Sequence, residues 1–97
     1  MKLSKEDFKA SITAEGYFIT YKGKGIGGAS ILGKSTQRGK ARMRQMHDHA
    51  TSAQREIDQL VSGNGAKYMR DAIKNIDDLL EDEALRAFEK SHPELNP

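Results

Sequence analysis

The stretch GASILGKS, residues 28–35, matches the phosphate-loop spacing G-x-x-x-x-G-K-[S/T] at every defined position. In such a loop the backbone N–H groups cradle phosphates. A lysine, here Lys34, reaches the outer phosphate oxygens, and a hydroxyl, here Ser35, holds magnesium. Hydrolysis by that route also needs a buried parallel sheet and an acid at the end of another strand. Every apolar series beyond Ser35 has helical spacing, and Asp77 and Asp78 stand inside one of them with no strand before them. A phosphate-loop nucleotide binder is therefore the third-ranked reading. In the plainer alternative Gly28 and Gly33 serve turns, and Ser35 or Thr36 caps the following helix. The overlapping GKGIGG, residues 23–28, has dinucleotide-fingerprint spacing but lacks the βαβ unit that pattern requires.

A broader chemical signal is charge. Residues 1–46 hold ten Lys/Arg against three Asp/Glu, and residues 47–97 hold six against eleven, so the halves carry +7 and −5 within a total of +2. Between Gly16 and His47 stand Lys22, Lys24, Lys34, Arg38, Lys40, Arg42 and Arg44 without one acid. Cations crowded at a helix start oppose the helix dipole, at a cost of about a few tenths of a kcal/mol. An anionic partner accounts for that placement, and so does an acidic surface elsewhere in the chain. With Tyr17 and Tyr21 nearby to stack on bases, the cations could grip a phosphate backbone. No helix-turn-helix or zinc-finger pattern accompanies them, so base-specific reading is not implied.

The acids Asp77, Asp78, Glu81, Asp82 and Glu83 form the counterpart run. Acid–base catalysis would require burial to separate their pKa values. Nothing in the pattern supplies a pocket, so they read as a solvated helix face, or as the recognition surface of a protein-binding adaptor or inhibitor. His47, Asp48 and His49 do not form a metal site by spacing, because i and i+2 side chains on a helix diverge. No cofactor or metal is implied, and no catalytic residue.

The elements that must carry these residues follow from period and punctuation. Ser4 with Asp7 three residues on fits a capping box, and Leu3 and Phe8 fit a hydrophobic staple. They predict a short first helix over about residues 5–14, stopped at Gly16. Residues 17–22 are rich in aromatic and β-branched side chains, and after a glycine-rich turn a second strand over residues 26–32 completes a β-hairpin. Met43, Met46, Ala50, Ala53, Ile57 and Leu60 then recur at spacings of three and four, predicting a helix over residues 40–61. Met69, Ile73, Ile76, Leu80, Ala84 and Ala87 do the same over residues 66–89.

So short a breaker as residues 62–65 predicts an antiparallel helical hairpin. Folding about Asn64 brings Met46 beside Asp82 and sets Lys40, Arg42 and Arg44 alongside Glu81, Asp82, Glu83 and Glu89. Ala72, Leu79, Leu85 and Phe88 fall outside the narrow seam, so a further surface must cover them. Packing of the first helix and ribbon, through Phe8, Ile12, Phe18 and Ile19, is favoured over a four-helix dimer of two hairpins.

The fold class is thus α+β, a short N-terminal helix and β-hairpin packed on a long antiparallel helical hairpin. One domain spans 1–97, with helix plus ribbon over 1–34, helical hairpin over 35–90 and a frayed tail over 91–97. Absence of cysteine, of a secretion-type apolar segment and of a bilayer-length apolar run points to a cytoplasmic protein without membrane contact, and packing within the chain favours a monomer over a homodimer. The functional expectation is a non-catalytic binding protein that engages nucleic acid or a nucleoprotein complex by occupancy. Its size and build suit a phage- or plasmid-type regulator or inhibitor.

Overall fold

The computed structural model describes residues 3–93. Its first element departs from the sequence expectation: the capping-box segment makes only a single 3-10 turn, Lys5–Asp7, and the Ser4 side chain caps nothing. From Phe8 the chain is extended. An isolated ten-residue helix is marginal in water, whereas Phe8, Ala10 and Ile12 alternate with polar residues and can extend a neighbouring sheet. Strand β1 (Phe8–Thr13) pairs antiparallel with β2 (Gly16–Tyr21), and β2 pairs with β3 (Lys24–Ser30), giving a three-stranded meander in the order β1-β2-β3.

Alternation then sorts the side chains by face. Phe8 lies opposite Tyr21 and Ile12 opposite Tyr17, so these residues and Ile19 share one face. A bulge where Ile19 pairs with Gly27 and Thr20 with Gly25 leaves Ile26 as the extra residue. Ile26 is buried on the same side as Gly27, whose added Cβ would meet the Tyr68 ring at 2.7 Å. Phe18 projects from the opposite face and is 50% exposed, contrary to its expected place in the core. Its ring lies over Gly25, where a Cβ would come within 2.4 Å of it.

Two helices cover the inner face. Helix α1 (Gly39–Val61) lies across β1 and β2, and α2 (Lys67–Ser91) lies on β3. The core joins Phe8, Ile19, Tyr21 and Ile26 from the sheet to Ile57, Leu60, Met69, Ile73 and Ile76 from the helices. Fully burying a side chain of this size contributes about 1.5–3 kcal/mol. Leu3, Ala72 and Leu80 pack at its margin.

The helices pack on the sheet, and hardly on each other. That overturns the expected pairing of their seams. The long dimension of the molecule is 63 Å and its radius of gyration 17.9 Å, against about 13 Å for a compact chain of this length. An antiparallel pair of helices of 23 and 25 residues would extend only about 40 Å. The side-chain ties show how the extra length arises. Near its start α1 is held to the β1–β2 turn, through Gln45 to Ser35 and Ser35 to Glu15. Asp77 of α2 is held to the β2–β3 turn through Tyr21 and Lys22. These turns lie at opposite ends of the sheet, so about the first half of α1 projects from one end and the last half of α2 from the other. Neither helix is long and apolar enough to cross a membrane.

At the end of α2, residue 91 is still helical, and His92 stacks on Phe88 with ring centroids 4.1 Å apart. Residue 91, where a frayed tail was expected to start, is thus still helical, and residues 94–97 of that expected tail lie outside the described residues.

Candidate nucleic-acid interface

The loop of residues 31–38 carries Lys34 and Arg38, and α1 adds Lys40, Arg42 and Arg44 within its first two turns; all five are exposed. Among the described residues none of the five makes an ion pair, because the salt bridges present are Lys5–Asp58, Lys22–Asp77 and Lys67–Asp71. The first turn of α1 holds no acid, and its N-cap, Arg38, provides no side-chain cap. The N–H groups of that turn add their positive ends to the same region. Successive residues advance about 100° around a helix. Lys40 and Arg44 therefore share the outer face, while Arg42 borders the line on which Met43 and Met46 run on to Ala53 and Ile57.

The remaining predicted cations lie elsewhere. Lys22 sits at the β2–β3 turn with φ of 50°, and its Nζ is 3.2 Å from Asp77 Oδ1 and 5.2 Å from the Tyr21 ring centre. Hydrogen bonds to Asp77 and Tyr21 raise its pKa above the ordinary lysine value. Lys24 is exposed at the same turn, the length of the sheet away from Glu15 and the loop. The single basic ribbon expected from sequence is thus divided between two ends of the sheet.

Tyr17 and Tyr21 do not form a stacking platform. Both face the helices, where the Tyr17 hydroxyl donates to Glu56 at 2.6 Å and the Tyr21 hydroxyl to Asp77 at 2.8 Å. Burial, reinforced by Glu56, pushes the Tyr17 phenol up to about 12. Burial and the bond to Asp77 raise Tyr21 as well. The aromatic side chain open to a ligand on the sheet is Phe18, on the outer face with Lys9, Ser11, Thr13 and Thr20. Strict alternation along β2 was the signal for it: if Tyr17, Ile19 and Tyr21 face inward, Phe18 faces out.

The phosphate-loop match dissolves into other roles. Gly28 belongs to β3, opposite Phe18, where a Cβ would stand 2.1 Å from the Tyr17 carbonyl oxygen. Gly33 is a left-handed loop residue with φ of 79°. The Ser35 N–H donates to the Glu15 carboxylate at 3.0 Å, so an internal anion occupies that donor, and the Ser35 hydroxyl bonds Gln45. Helix α1 starts four residues later, so neither Ser35 nor Thr36 caps it.

At the far end, Asp78, Glu81, Asp82 and Glu83 are exposed along α2 without ion-pair partners among the described residues. Asp77 is separate: it is half-buried, bound to Tyr21 and Lys22, and its Oδ2 is buried without a partner. Lys40, Arg42 and Arg44 do not meet the α2 acids, since the two groups occupy opposite ends. His47 and Asp48 are exposed and His49 is half-buried, and no metal-binding cluster of acids and histidines occurs among the described residues.

No protein-family model matches this chain, and no curated protein or solved structure matches it either.

Proposed function

We propose that the protein is a non-catalytic binding module that engages nucleic acid, or a nucleoprotein complex through its nucleic acid, and acts by occupancy. One observation carries this reading: Lys34, Arg38, Lys40, Arg42 and Arg44 are concentrated at one exposed end, and none of them makes an ion pair among the described residues. Unpaired like charges repel one another, and a polyanion relieves that repulsion while releasing its own counterions. Lys40 and Arg44, one turn apart on the outer face, can meet successive phosphates together with Lys34 and Arg38 from the loop. Phe18 and Lys9 on the open face of the sheet offer a secondary contact, by stacking and by charge. The groups with raised pKa values, Tyr17, Tyr21 and Lys22, are tied into packing contacts and take no part.

Fluorescence anisotropy with labelled single- and double-stranded DNA and RNA, titrated at several salt concentrations, tests the proposal. Binding is expected to weaken with salt, with a log–log slope of about −3 to −4 on duplex for four phosphate contacts. Converting Lys34, Arg38, Lys40 and Arg44 to Glu should abolish binding. Lack of wild-type binding at low salt, or wild-type affinity in the quadruple variant, would sink it.

A further inference from the structure

We infer that the two projecting arms complete their packing on a second copy of this chain, the basic α1 arm of one protomer lying antiparallel along the acidic α2 arm of the other. This goes beyond the proposed nucleic-acid reading and does not depend on it.

The first observation is that each amphipathic seam outruns its cover. On α1, half-buried Met46 and Ala50 and 71%-exposed Met43 continue the line of Ala53 and Ile57 past the end of the sheet. On α2, Leu80, Ala84 and Ala87 continue the line of Ile73 and Ile76, and Phe88 widens that face beside it, 50% exposed. An apolar stripe that persists for two turns or more beyond its own core is matched to a partner surface.

Charge selects that partner. The α1 arm bears Lys40, Arg42 and Arg44 with no acid before Asp48, while the α2 arm from Asp77 to its end bears Asp78, Glu81, Asp82, Glu83 and Glu89 against Arg86 and Lys90. In one chain these groups lie at opposite ends of a 63 Å body, many times the screening length of about 8–10 Å. They therefore cannot neutralise each other internally. A second copy sets Arg42, which borders the α1 stripe, against Glu81 and Glu83, which border the α2 stripe, at both arms at once.

Geometry makes the arrangement close. The free tip of α1 is its N-terminus and the free tip of α2 its C-terminus. A two-fold rotation that sets two bodies side by side, head against tail, brings each α1 arm antiparallel to the partner's α2 arm. That restores between chains the polarity and small-to-large matching, Ala84 and Ala87 against Met43 and Met46, that the seams encode. The contact occurs twice per dimer, doubling the buried area toward the roughly 1,200–2,000 Å² of stable interfaces. Lys40 and Arg44 stay on the outer face, so the dimer presents two separated basic surfaces.

Sedimentation equilibrium of the full chain is expected to give a dimer that dissociates on dilution and with added salt. Phe88→Glu should weaken dimerisation at least about tenfold with unchanged far-UV circular dichroism. Arg42→Glu alone and the pair Glu81→Lys, Glu83→Lys alone should each weaken it, and mixing the two variants should restore a heterodimer. A chain carrying Met43→Cys and Ala84→Cys, treated with a short bis-maleimide, should cross-link at dimer mass. A monomer at all concentrations, an open-ended series of oligomers, or a cross-link confined to one chain would each overturn the inference. So would binding of an unrelated basic helix to the α2 arm of a protein that remains monomeric.

Discussion

Each helix has a seated half and a projecting half, and the two halves carry the same apolar spacing with opposite outcomes. Ala53, Ile57 and Leu60 are at most 5% exposed, whereas Met43, on the same α1 seam, is 71% exposed. Met69 and Ile73 are likewise buried, while Ala84 and Ala87, on the same α2 seam, are exposed. Lengths explain the contrast. Strands of six or seven residues span about 20 Å, and helices of 23 and 25 residues span about 35–37 Å. The sheet can cover only part of either helix. Periodicity therefore specifies which face of a helix seeks cover, but not what covers it.

The largest expected effect separates the halves directly. Leu60→Ala or Ile73→Ala should destabilise by about 2–5 kcal/mol, as loss of buried methyl groups leaves a cavity. Met43→Ala and Leu85→Ala, on the projecting halves, should change monomer stability by less than about 0.5 kcal/mol. Urea denaturation measured at high dilution reads both. Comparable losses at Leu60 and Met43 would break the distinction between seated and projecting halves, and would mean that α1 is covered along its whole length in solution.

Much of this was legible in the sequence and some was not, for physical reasons. The two long helices and their turn follow from unbroken three-and-four spacing and from residues 62–65, and the observed bounds differ from expectation by two residues or fewer. Strand β1 was hidden because Ser4, Asp7, Leu3 and Phe8 satisfy a helix-start pattern locally. Pairing with β2 along six residues outweighs that local preference. The short turn does not by itself force the helices together, because the sheet competes for both seams. At the candidate interface, exposure of Lys34 to Arg44 was foreseeable from the missing acids. The capture of Lys22, Tyr17 and Tyr21 by Asp77 and Glu56 depends on partners 39 to 56 residues away, and no local pattern signals it.

A second test sharpens the comparison within the seated half, where polar groups hold the helices to the sheet. Tyr21 is 2% exposed and its hydroxyl depends on Asp77. Asp77→Ala should cost about 1–3 kcal/mol, because it leaves a buried donor unpaired. Tyr21→Phe added to Asp77→Ala should recover part of that loss, a coupling that a double-mutant cycle measures. Additive losses would show that the pair does not act as a unit. Asp78→Ala, one residue on but exposed, should leave stability nearly unchanged.

The smallest effect concerns pH and again belongs to the seated half. The Tyr17 phenol is held near 12 against an ordinary value of 10.0, first by burial and then by Glu56. A group whose folded-state pKa is raised contributes its stability fully below the unfolded value and loses it as pH rises through the folded one. Tyr17 should therefore stabilise the fold up to about pH 10 and cease to do so between pH 10 and about 12. Tyr21 and Lys22, also raised, work in the same direction. Denaturation midpoints followed through this window should fall for the wild type and fall less for Tyr17→Phe, with the residual slope carried by Tyr21 and Lys22. An identical alkaline decline in Tyr17→Phe would place the titrating groups away from the Tyr17–Glu56 contact. It would also remove that contact as a reason why α1 is firm on the sheet at residue 56 and free of it at residue 43.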